Sequence, residues 1–273
     1  MKNKIIINAD DLGLSPGVNE AIYRAHNQGF LTHASLMANA DFFEDAVDTI
    51  VSKCKNLNVG LHINLTCCKS LSKDNHIADK HGILSNTFIK LLFLHKNKKV
   101  LQSIENEIEA QLDRLKSNNI HISHIDGHEH IHIIPSINKI VKKIAQKHGI
   151  KRIREINEGV LKSFRFNFRT ASFANIIKLF LLRFLSLFNS DTKKNTFYSI
   201  LNTCEINEDN LFNYLENTQN ETVEIMLHPS ISKLDENYKN LDIRFLQFLQ
   251  SDYRRQEYEL CFSKKFENYE KAV

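Results

Sequence analysis

Two adjacent aspartates, Asp10 and Asp11, end an apolar run near the start of the chain, and their types point most directly to chemistry. Three consecutive isoleucines at residues 5–7 precede them and predict a short buried strand. Like charges repel, and a protein interior accommodates them at a cost of several kcal/mol unless a cation or a proton shares the site. The alternative is a simple Asp-Asp turn in which Gly13 helps the chain to bend. The segment alone supports both interpretations equally.

Strand and helix signals alternate along the rest of the chain, which predicts parallel strands joined by helical crossovers. Ser15 and Pro16 start a helix that ends at Gly29, and Pro135 starts another that ends before Gly149. Further strands are predicted at residues 31–37, 57–65, 120–126, 150–156 and 222–227, and further helices at 41–53 and 100–117, with a long loop and one short helix at 66–99. We therefore expect a single-domain α/β fold, a TIM-barrel-like (β/α) barrel with a helical insertion at about residues 160–200.

In such a barrel the functional residues lie at the carboxyl ends of the strands, and polar side chains occur at several of these ends. They are Asp10, Asp11, His62, Asn64, Asp126, His128 and His228. Two histidines and one carboxylate from different strands can hold a divalent cation and leave positions open for water and substrate. His62 lies between Leu61 and Ile63, so the alternative for this residue is a neutral histidine in the core.

The stretch at residues 121–135 contains five histidines, at positions 121, 124, 128, 130 and 132. Alternating histidines can form one polar face of a strand, or bind metal loosely. An Asp-Gly turn interrupts the alternation here, so we assign His121 and His124 to the strand and His128 to a metal site. His130 and His132 are then candidates for supporting a ligand or facing the substrate, with a structural role as the alternative.

Four motifs in this order resemble the YdjC/ChbG family of carbohydrate deacetylases: NADDLG at 8–13, GLHINLT at 60–66, HIDGHEHIHIIP at 124–135 and MLHPS at 226–230. The resemblance covers residues 4 to about 230. It implies a TIM-barrel-like fold and removal of an acetyl group from an N-acetylated amino sugar with one divalent metal ion, zinc or magnesium.

The resemblance also implies roles for individual residues. Asp11, His62 and His128 correspond to the metal ligands, Asp10 to the general base and His228 to the acid. The family's R-x-E element corresponds to Arg255 and Glu257. We add a set of candidate substrate-binding residues, namely His130, His132, Asn64 and Arg154.

Amide hydrolysis explains why such residues belong together. An N-acetyl amide is a poor electrophile and water is a poor nucleophile, and a metal ion assists both. One carboxylate can hold the cation while its neighbour takes a proton from water, and a histidine can protonate the departing amine. Neither Ser15 nor Ser35 lies in a nucleophile elbow, which disfavours covalent catalysis. Alternatives are a phosphoester hydrolase, which Arg152 and Arg154 would suit, and a non-catalytic sugar-binding protein.

Composition excludes several other classes. The chain of 273 residues has a net charge of +4 and a pI near 8.7, without the basic-aromatic interleaving of a nucleic-acid groove. Its five cysteines lack zinc-like spacing, and the N-terminus does not resemble a signal peptide, so we expect a cytoplasmic location. No apolar run reaches the roughly 18 residues that a membrane-spanning helix needs.

Residues 164–188 are the segment least typical of a soluble barrel. They predict an amphipathic helix with aromatic and aliphatic residues on one arc. The cations Arg165, Arg169, Lys178 and Arg183 would suit an anionic bilayer surface, and an ordinary helix packed on the barrel is the alternative.

A resemblance to the NaxD-type branch implies a peripheral enzyme of the inner membrane face. Its substrate would be an undecaprenyl-phosphate-linked N-acetylhexosamine, such as N-acetylgalactosamine, in envelope polysaccharide or lipid A modification. Soluble chitooligosaccharides are the alternative substrate, and a homodimer is compatible with either.

Overall fold

A curled parallel sheet forms the centre of the protein, as seen in a computed structural model that describes residues 3–73, 76–167, 171–189, 195–218, 221–236 and 247–272. In these ranges the strands are β1 (Lys4–Leu12), β2 (His33–Leu36), β3 (Asn58–Ile63), β4 (Ile125–Gly127), β5 (Thr196–Tyr198), β6 (Thr222–Leu227) and β7 (Glu270–Lys271). Their spatial order is β4-β3-β2-β1-β6-β5, and β7 pairs with the first residues of β1. All the pairs are parallel, so the carboxyl ends of the six main strands meet at one rim.

Helices connect the strands and cover the sheet. The α-helices in the described ranges are α1 (Pro16–Gln28), α2 (Phe43–Ala46), α3 (Phe88–Phe93), α4 (Lys98–Ser117), α5 (Pro135–Lys147), α6 (Val160–Asn167), α7 (Phe173–Ser186), α8 (Glu208–Glu216) and α9 (Asp252–Leu260). Several begin at a side chain that accepts a hydrogen bond from a backbone N–H three residues on, as Ser15 does for α1 and Ser172 for α7. The predicted bounds of α1, α5 and β6 are confirmed.

The sheet is a half-barrel rather than the closed barrel that the alternation predicts. The segment predicted as a strand at residues 150–156 pairs with β4 only through a bridge between Ile153 and Ile125. On its other side, the backbone N–H of Phe197 in β5 donates to the carbonyl of Asn157 at 3.2 Å. The two ends of the sheet therefore approach each other through this irregular segment, which lies between β4 and β5.

Burial of β1 on both faces explains its apolar run. Every residue of β1 after Lys4 is buried, because β2 and β6 flank it and helices cover the sheet. A parallel strand covered on both faces is expected to be continuously hydrophobic, as residues 5–7 are. The polar residues at its carboxyl end are therefore inside the protein and need partners there.

Helix α7 packs on the sheet in an orientation that differs from the one expected for a helix whose cations face a bilayer. Its buried side chains are Leu179, Leu182 and Leu185, which pack in a cluster with residues of β5 and β6. Arg183 also turns inward and donates to the carbonyl of Ile156 and to Oδ1 of Asn157. Of the cations expected to face a bilayer, Arg165 is exposed, Lys178 and Arg183 point into the protein, and Arg169 lies outside the described residues.

The solvent-facing side of α7 is apolar instead. We call it the outer face and define it by exposed side chains of α7 and of the turn that follows, namely Phe173, Ile177, Phe180, Phe184, Leu187 and Phe188. Ile89 and Phe93 of the neighbouring α3 are also exposed, beside Phe88 and Leu92, which pack on the same cluster as α7.

The two sides of α7 predict different costs for truncation. Leu182→Ala should lower the free energy of unfolding by about 2–4 kcal/mol, because it leaves a cavity under the helix. Phe180→Ala, at a side chain that is 54% exposed, should change it by about 0.5 kcal/mol or less. Urea denaturation of the two variants measures both values, and equal losses would contradict this orientation of α7.

Candidate functional site

A bulge in β1 directs both aspartates into one cavity. Neighbouring side chains of a regular strand point to opposite faces, so Asp10 and Asp11 would normally separate. The register with β2 shifts between Ala9 and Leu12, and Asp11 adopts a left-handed backbone with φ of 69°. Gly13, with φ of 91°, completes the turn, in which the N–H of Leu14 donates to the carbonyl of Asp11. Both carboxylates consequently line the same cavity.

Asp11, His62 and His128 come together from three strand ends, and we call them the donor triad. Oδ1 of Asp11 lies 3.5 Å from Nε2 of His62 and 3.0 Å from Nδ1 of His128. One ligand atom from each residue falls within 4.8 Å of the others. Two imidazole nitrogens and one carboxylate oxygen, open on one side, fit a divalent cation with free positions for water and substrate.

Asp126 orients His62 toward this position. Its Oδ1 lies 2.7 Å from Nδ1 of His62, which leaves Nε2 directed at the triad. Metal-binding histidines commonly have such a carboxylate on the second ring nitrogen. Burial alone would lower the pKa of His62, but the carboxylates of Asp126 and Asp10 outweigh it and raise the pKa to about 10. In the absence of a cation the site therefore attracts positive charge.

Arg254 binds the other oxygen of Asp11. Its Nη2 lies 2.6 Å from Oδ2, and the guanidinium stacks on Phe248 at 4.6 Å from the ring centre. Burial would raise the pKa of Asp11, but His128 and Arg254 hold it well below its usual range. Asp11 is thus an ionised carboxylate with Oδ1 directed at the triad.

Asp10 is held differently, by Arg154. Nη1 and Nη2 of Arg154 donate to Oδ2 and Oδ1 of Asp10, both at 2.7 Å, and the amide of Asn8 donates to Oδ1. Arg154 also binds Asp126 and Glu224 at 2.7 Å each. In the second group of possible metal ligands, Asp10 with His62 and Asp126, both carboxylates are therefore already paired with a guanidinium, which makes the donor triad the better cation site.

His228 approaches from the end of β6. Its side chain is 16% exposed, its Nδ1 lies 3.4 Å from Oε2 of the buried Glu257, and its backbone N–H donates to the same carboxylate. Phe248 packs against the ring. With Nδ1 beside a carboxylate, Nε2 is the nitrogen left to exchange a proton with a bound molecule.

A cavity of about 380 Å³ unites these groups. Its lining includes Asp10, Asp11, His62, Thr66, Cys67, Asn86, Thr87, His128, Glu129, His130, Lys178, Thr203, Cys204, His228 and Phe248.

Of the residues predicted to contact the substrate, one lines the cavity and three do not. His130 lines the cavity, after a turn in which both Glu129 and His130 have positive φ. His132 donates from Nε2 to the carbonyl of Arg154, and Asn64 hydrogen-bonds Asn39 and the loop that follows β3. Neither of these two side chains nor that of Arg154 is in the cavity lining.

The structure adds Arg254 and Lys178 to the site residues expected from the sequence. Arg255, which was matched to the family's element, is on the outside of α9 and pairs with Asp252 and Glu259. Arg254 and Glu257 turn inward, together with Leu260. Residues three apart share a helix face, so the spacing within α9 contains a signal for this pair.

Comparison with known proteins places the chain in a family. The family model described as YdjC-like protein matches residues 4–272. The chain belongs to the YdjC-like family. Carbohydrate deacetylases from Brevibacillus brevis and Geobacillus stearothermophilus are 38% and 33% identical to it over 148 and 150 residues. These matches cover 54% and 55% of this chain and 57% and 59% of the relatives, so the chain spans little more than half the length of the curated relatives it matches.

A solved structure supports the family's fold. It is that of a proposed cellobiose-phosphate cleavage protein from Enterococcus faecalis V583, with a TM-score of 0.70 and 20% sequence identity. The similarity covers all of this chain and 97% of that one. Among the residues described here, no helix combines the length and the apolar character that crossing a bilayer requires.

The donor triad predicts how metal binding responds to mutation. His62→Ala should abolish stoichiometric binding of zinc, because two protein ligands hold a divalent ion poorly. Asp126→Asn keeps the three ligands and should weaken zinc binding by roughly 10–100-fold, the usual effect of losing an outer carboxylate. Metal content by mass spectrometry and a competition titration measure these changes, with the exposed His81→Ala as the control. Full zinc content in His62→Ala would refute the assignment.

Proposed function

We propose that this protein hydrolyses the N-acetyl group of an amino sugar and releases acetate. The observation that carries the proposal is the cavity in which Asp10 lies beside the donor triad and His228 enters from another strand. Membership of the YdjC-like family and similarity to carbohydrate deacetylases support the same activity.

The donor triad would hold one divalent cation. Zinc suits two imidazoles and one carboxylate better than magnesium, which prefers oxygen ligands. Such a cation, when bound, lowers the pKa of water and polarises the acetyl carbonyl. Arg254 and Asp126 keep two of the ligands in place, Asp11 and His62 respectively.

Asp10 is the general base in this proposal. Arg154 and Asn8 occupy three of the roughly four acceptor positions of a carboxylate, so its orientation is fixed and one position remains for the proton of the attacking water. This division of labour requires that Asp10 is not itself a metal ligand. Its pairing with a guanidinium supports that distinction.

His228 is the general acid. When water adds to the acetyl carbon and the C–N bond breaks, the amine takes a proton from His228 and the acetyl group leaves as acetate. Glu257, next to Nδ1, holds the ring in place. Of the other candidates, His130 is the one we retain for substrate contact, while His132, Asn64 and Arg154 support the cavity from behind.

For the substrate we propose a lipid-linked N-acetylhexosamine, such as N-acetylgalactosamine on undecaprenyl phosphate, processed at the inner face of the membrane in envelope polysaccharide or lipid A modification. The outer face of α7 supports this assignment, because at least six large apolar side chains are exposed on and just after a helix that also lines the cavity. A surface of this kind typically marks an interaction site. Since Lys178 and Arg183 point inward, apolar burial rather than charge would drive the contact.

Exchange of each aspartate for asparagine tests the catalytic roles. Asp10→Asn should retain zinc yet lose on the order of 10² or more in kcat, the usual scale for a missing general base. Asp11→Asn should instead lose zinc affinity. Acetate release from N-acetylhexosamine substrates and metal content are measured together, with EDTA-treated enzyme as a reference. Equal loss of zinc in both variants would refute the separate roles.

Co-sedimentation with phospholipid vesicles tests the outer face. The wild-type protein should bind, and Phe180→Ser combined with Phe184→Ser should weaken binding at least tenfold, because each removes an exposed aromatic ring. The control exchanges two exposed side chains outside α7, Ile83→Ser and Tyr253→Ser. Absence of vesicle binding, together with faster turnover of soluble chitobiose than of a lipid-linked sugar, would contradict the membrane assignment. Loss of a dimer in the double variant would assign the face to a second copy instead.

A further inference from the structure

Two adjacent cysteines, Cys67 and Cys68, belong to the loop that follows β3, and the deacetylation proposed above does not use them. All five cysteines of the chain are free thiols. The sulfur atoms of this pair lie 3.6 Å apart, with the thiol of Cys68 donating to Sγ of Cys67. Cys67 is buried and lines the cavity, whereas Cys68 is partly exposed. The pair thus couples a thiol of the cavity wall to a thiol that solvent reaches.

The backbone at Cys68 brings the two sulfurs together. Neighbouring side chains of an extended chain point to opposite sides, but Cys68 has a φ of 65°, in the left-handed region that glycine and asparagine adopt with least strain. Its carbonyl accepts from the N–H of Leu84 at 2.8 Å, and Lys69 forms a bridge with Ile83. A strained conformation persists only where the surrounding structure fixes it, and such positions cluster at functional sites.

Asn64 ties this thiol pair to the end of β3. Its Oδ1 accepts from the N–H groups of Thr66 and Cys67, at 3.0 and 3.2 Å. Its amide donates to the carbonyl of Cys67 at 2.9 Å and to Sγ of the same residue at 3.3 Å. Cys67 lines the cavity together with Asp11 and His128 of the donor triad. A displacement of the Cys67 sulfur therefore changes the wall of the cavity beside the proposed cation.

We propose that Cys67 and Cys68 are a modification site, at which hydrogen peroxide forms a reversible disulfide between adjacent residues and thereby lowers turnover. Cys68, the more exposed thiol, attacks one peroxide oxygen. The O–O bond breaks, water leaves and Cys68 becomes a sulfenic acid. Sγ of Cys67 then attacks the sulfur of Cys68, the S–O bond breaks and a second water leaves. The two thiols together lose two electrons and two protons, and hydrogen peroxide is reduced to two molecules of water.

The spacing of adjacent residues explains why this disulfide is reversible. Consecutive Cα atoms lie about 3.8 Å apart across a trans peptide bond, less than the roughly 4.4–6.8 Å usual for a disulfide. The resulting strain makes such a bond easier to reduce than a structural disulfide. Its formation must also draw the sulfurs together from 3.6 Å, against the hydrogen bonds that Asn64 makes to Cys67. The thiol chemistry is independent of the activity proposed above, and only the effect on turnover rests on that activity.

Mass spectrometry of the zinc-loaded protein after treatment with hydrogen peroxide tests the modification. The wild type should lose two hydrogen atoms, with the disulfide mapped to Cys67 and Cys68, and reduced glutathione should reverse the loss. Cys67→Ser should instead accumulate a sulfenic acid at Cys68, which dimedone traps, because no second thiol is adjacent. Cys68→Ser should form no disulfide, and the control Cys54→Ser should behave as the wild type does.

Acetate release before and after oxidation measures the effect on the cavity. Oxidation of the wild type should lower kcat/KM by about tenfold or more, because a displacement of about 1 Å near reacting groups can cost at least this much. Glutathione should restore the original value. Cys68→Ser, at a side chain outside the cavity lining, should keep wild-type turnover and lose none of it on treatment with peroxide.

Other results would overturn the inference in distinguishable ways. A disulfide from Cys67 to Cys204, which also lines the cavity, or one between two chains, would assign the oxidation to another pair. Sulfinic acid at Cys68 in the wild type would show that Cys67 does not complete the reaction, and a mapped disulfide with unchanged kcat/KM would refute the effect on turnover. If no form of the protein releases acetate, the proposed function fails, whereas the mapped disulfide still decides the modification site. Thermal unfolding shows whether each serine variant is folded, and for a variant that is not, the mapping of the wild type decides.

Discussion

The buried guanidinium of Arg154 is the interaction on which the site depends. It bridges Asp10, Asp126 and Glu224, three carboxylates from three different strands, all at 2.7 Å. Taking so many charges out of water costs several kcal/mol for each ion, and only close, hydrogen-bonded pairing offsets this. Burial would lower the pKa of Arg154, but Asp10 and Asp126 raise it well above its usual value. Removal of this side chain would leave three carboxylates facing one another, so the geometry of the strand ends rests on it.

Arg154 belongs to the irregular segment that lies between β4 and β5. Its backbone N–H donates to the carbonyl of Ile125 at 2.9 Å, next to the single bridge at Ile153. A complete strand would close the sheet with a ladder of backbone bonds. The irregular segment instead inserts a guanidinium into the curl, so that ion pairs link β1, β4 and β6 from the inside.

The guanidinium groups of Arg154 and Arg254 also give the adjacent aspartates Asp10 and Asp11 different surroundings. Asp10 is bound through both oxygens by Arg154, whereas Arg254 takes one oxygen of Asp11 and leaves the other for the donor triad. In the network around the triad, five buried carboxylates (Asp10, Asp11, Asp126, Glu224 and Glu257) outnumber these two guanidinium groups and that of the partly buried Arg152, which also pairs with Glu224. The excess of negative charge is the electrostatic reason for expecting a cation at this point, and it agrees with the raised pKa of His62.

The sequence predicted those helix and strand bounds that depend on neighbouring residues alone. The Ser15-Pro16 start of α1, the Pro135 start of α5 and the strand that ends at His228 follow from capping and periodicity. The alternation of elements was enough to predict that Asp11, His62 and His128 share one rim. β5 and α8 were not predicted; β5 lies within the predicted helical insertion and, with only three residues, has too short a pattern to recognise. The partners of Arg154 depend on contacts between residues far apart in the chain, which no window of sequence contains, whereas the choice of Arg254 over Arg255 had a local signal in the spacing to Glu257.

The orientation of helix α7 likewise depends on contacts that its own sequence does not contain. Periodicity groups the aromatic residues of this helix on one arc, but it did not show that Leu179, Leu182 and Leu185 form the buried side and that the aromatic arc faces solvent. Arg183 finds carbonyl and amide oxygens, and Lys178 finds the cavity, so the aromatic arc remains outside. One helix thus presents a charge to the cavity and an apolar surface to the exterior.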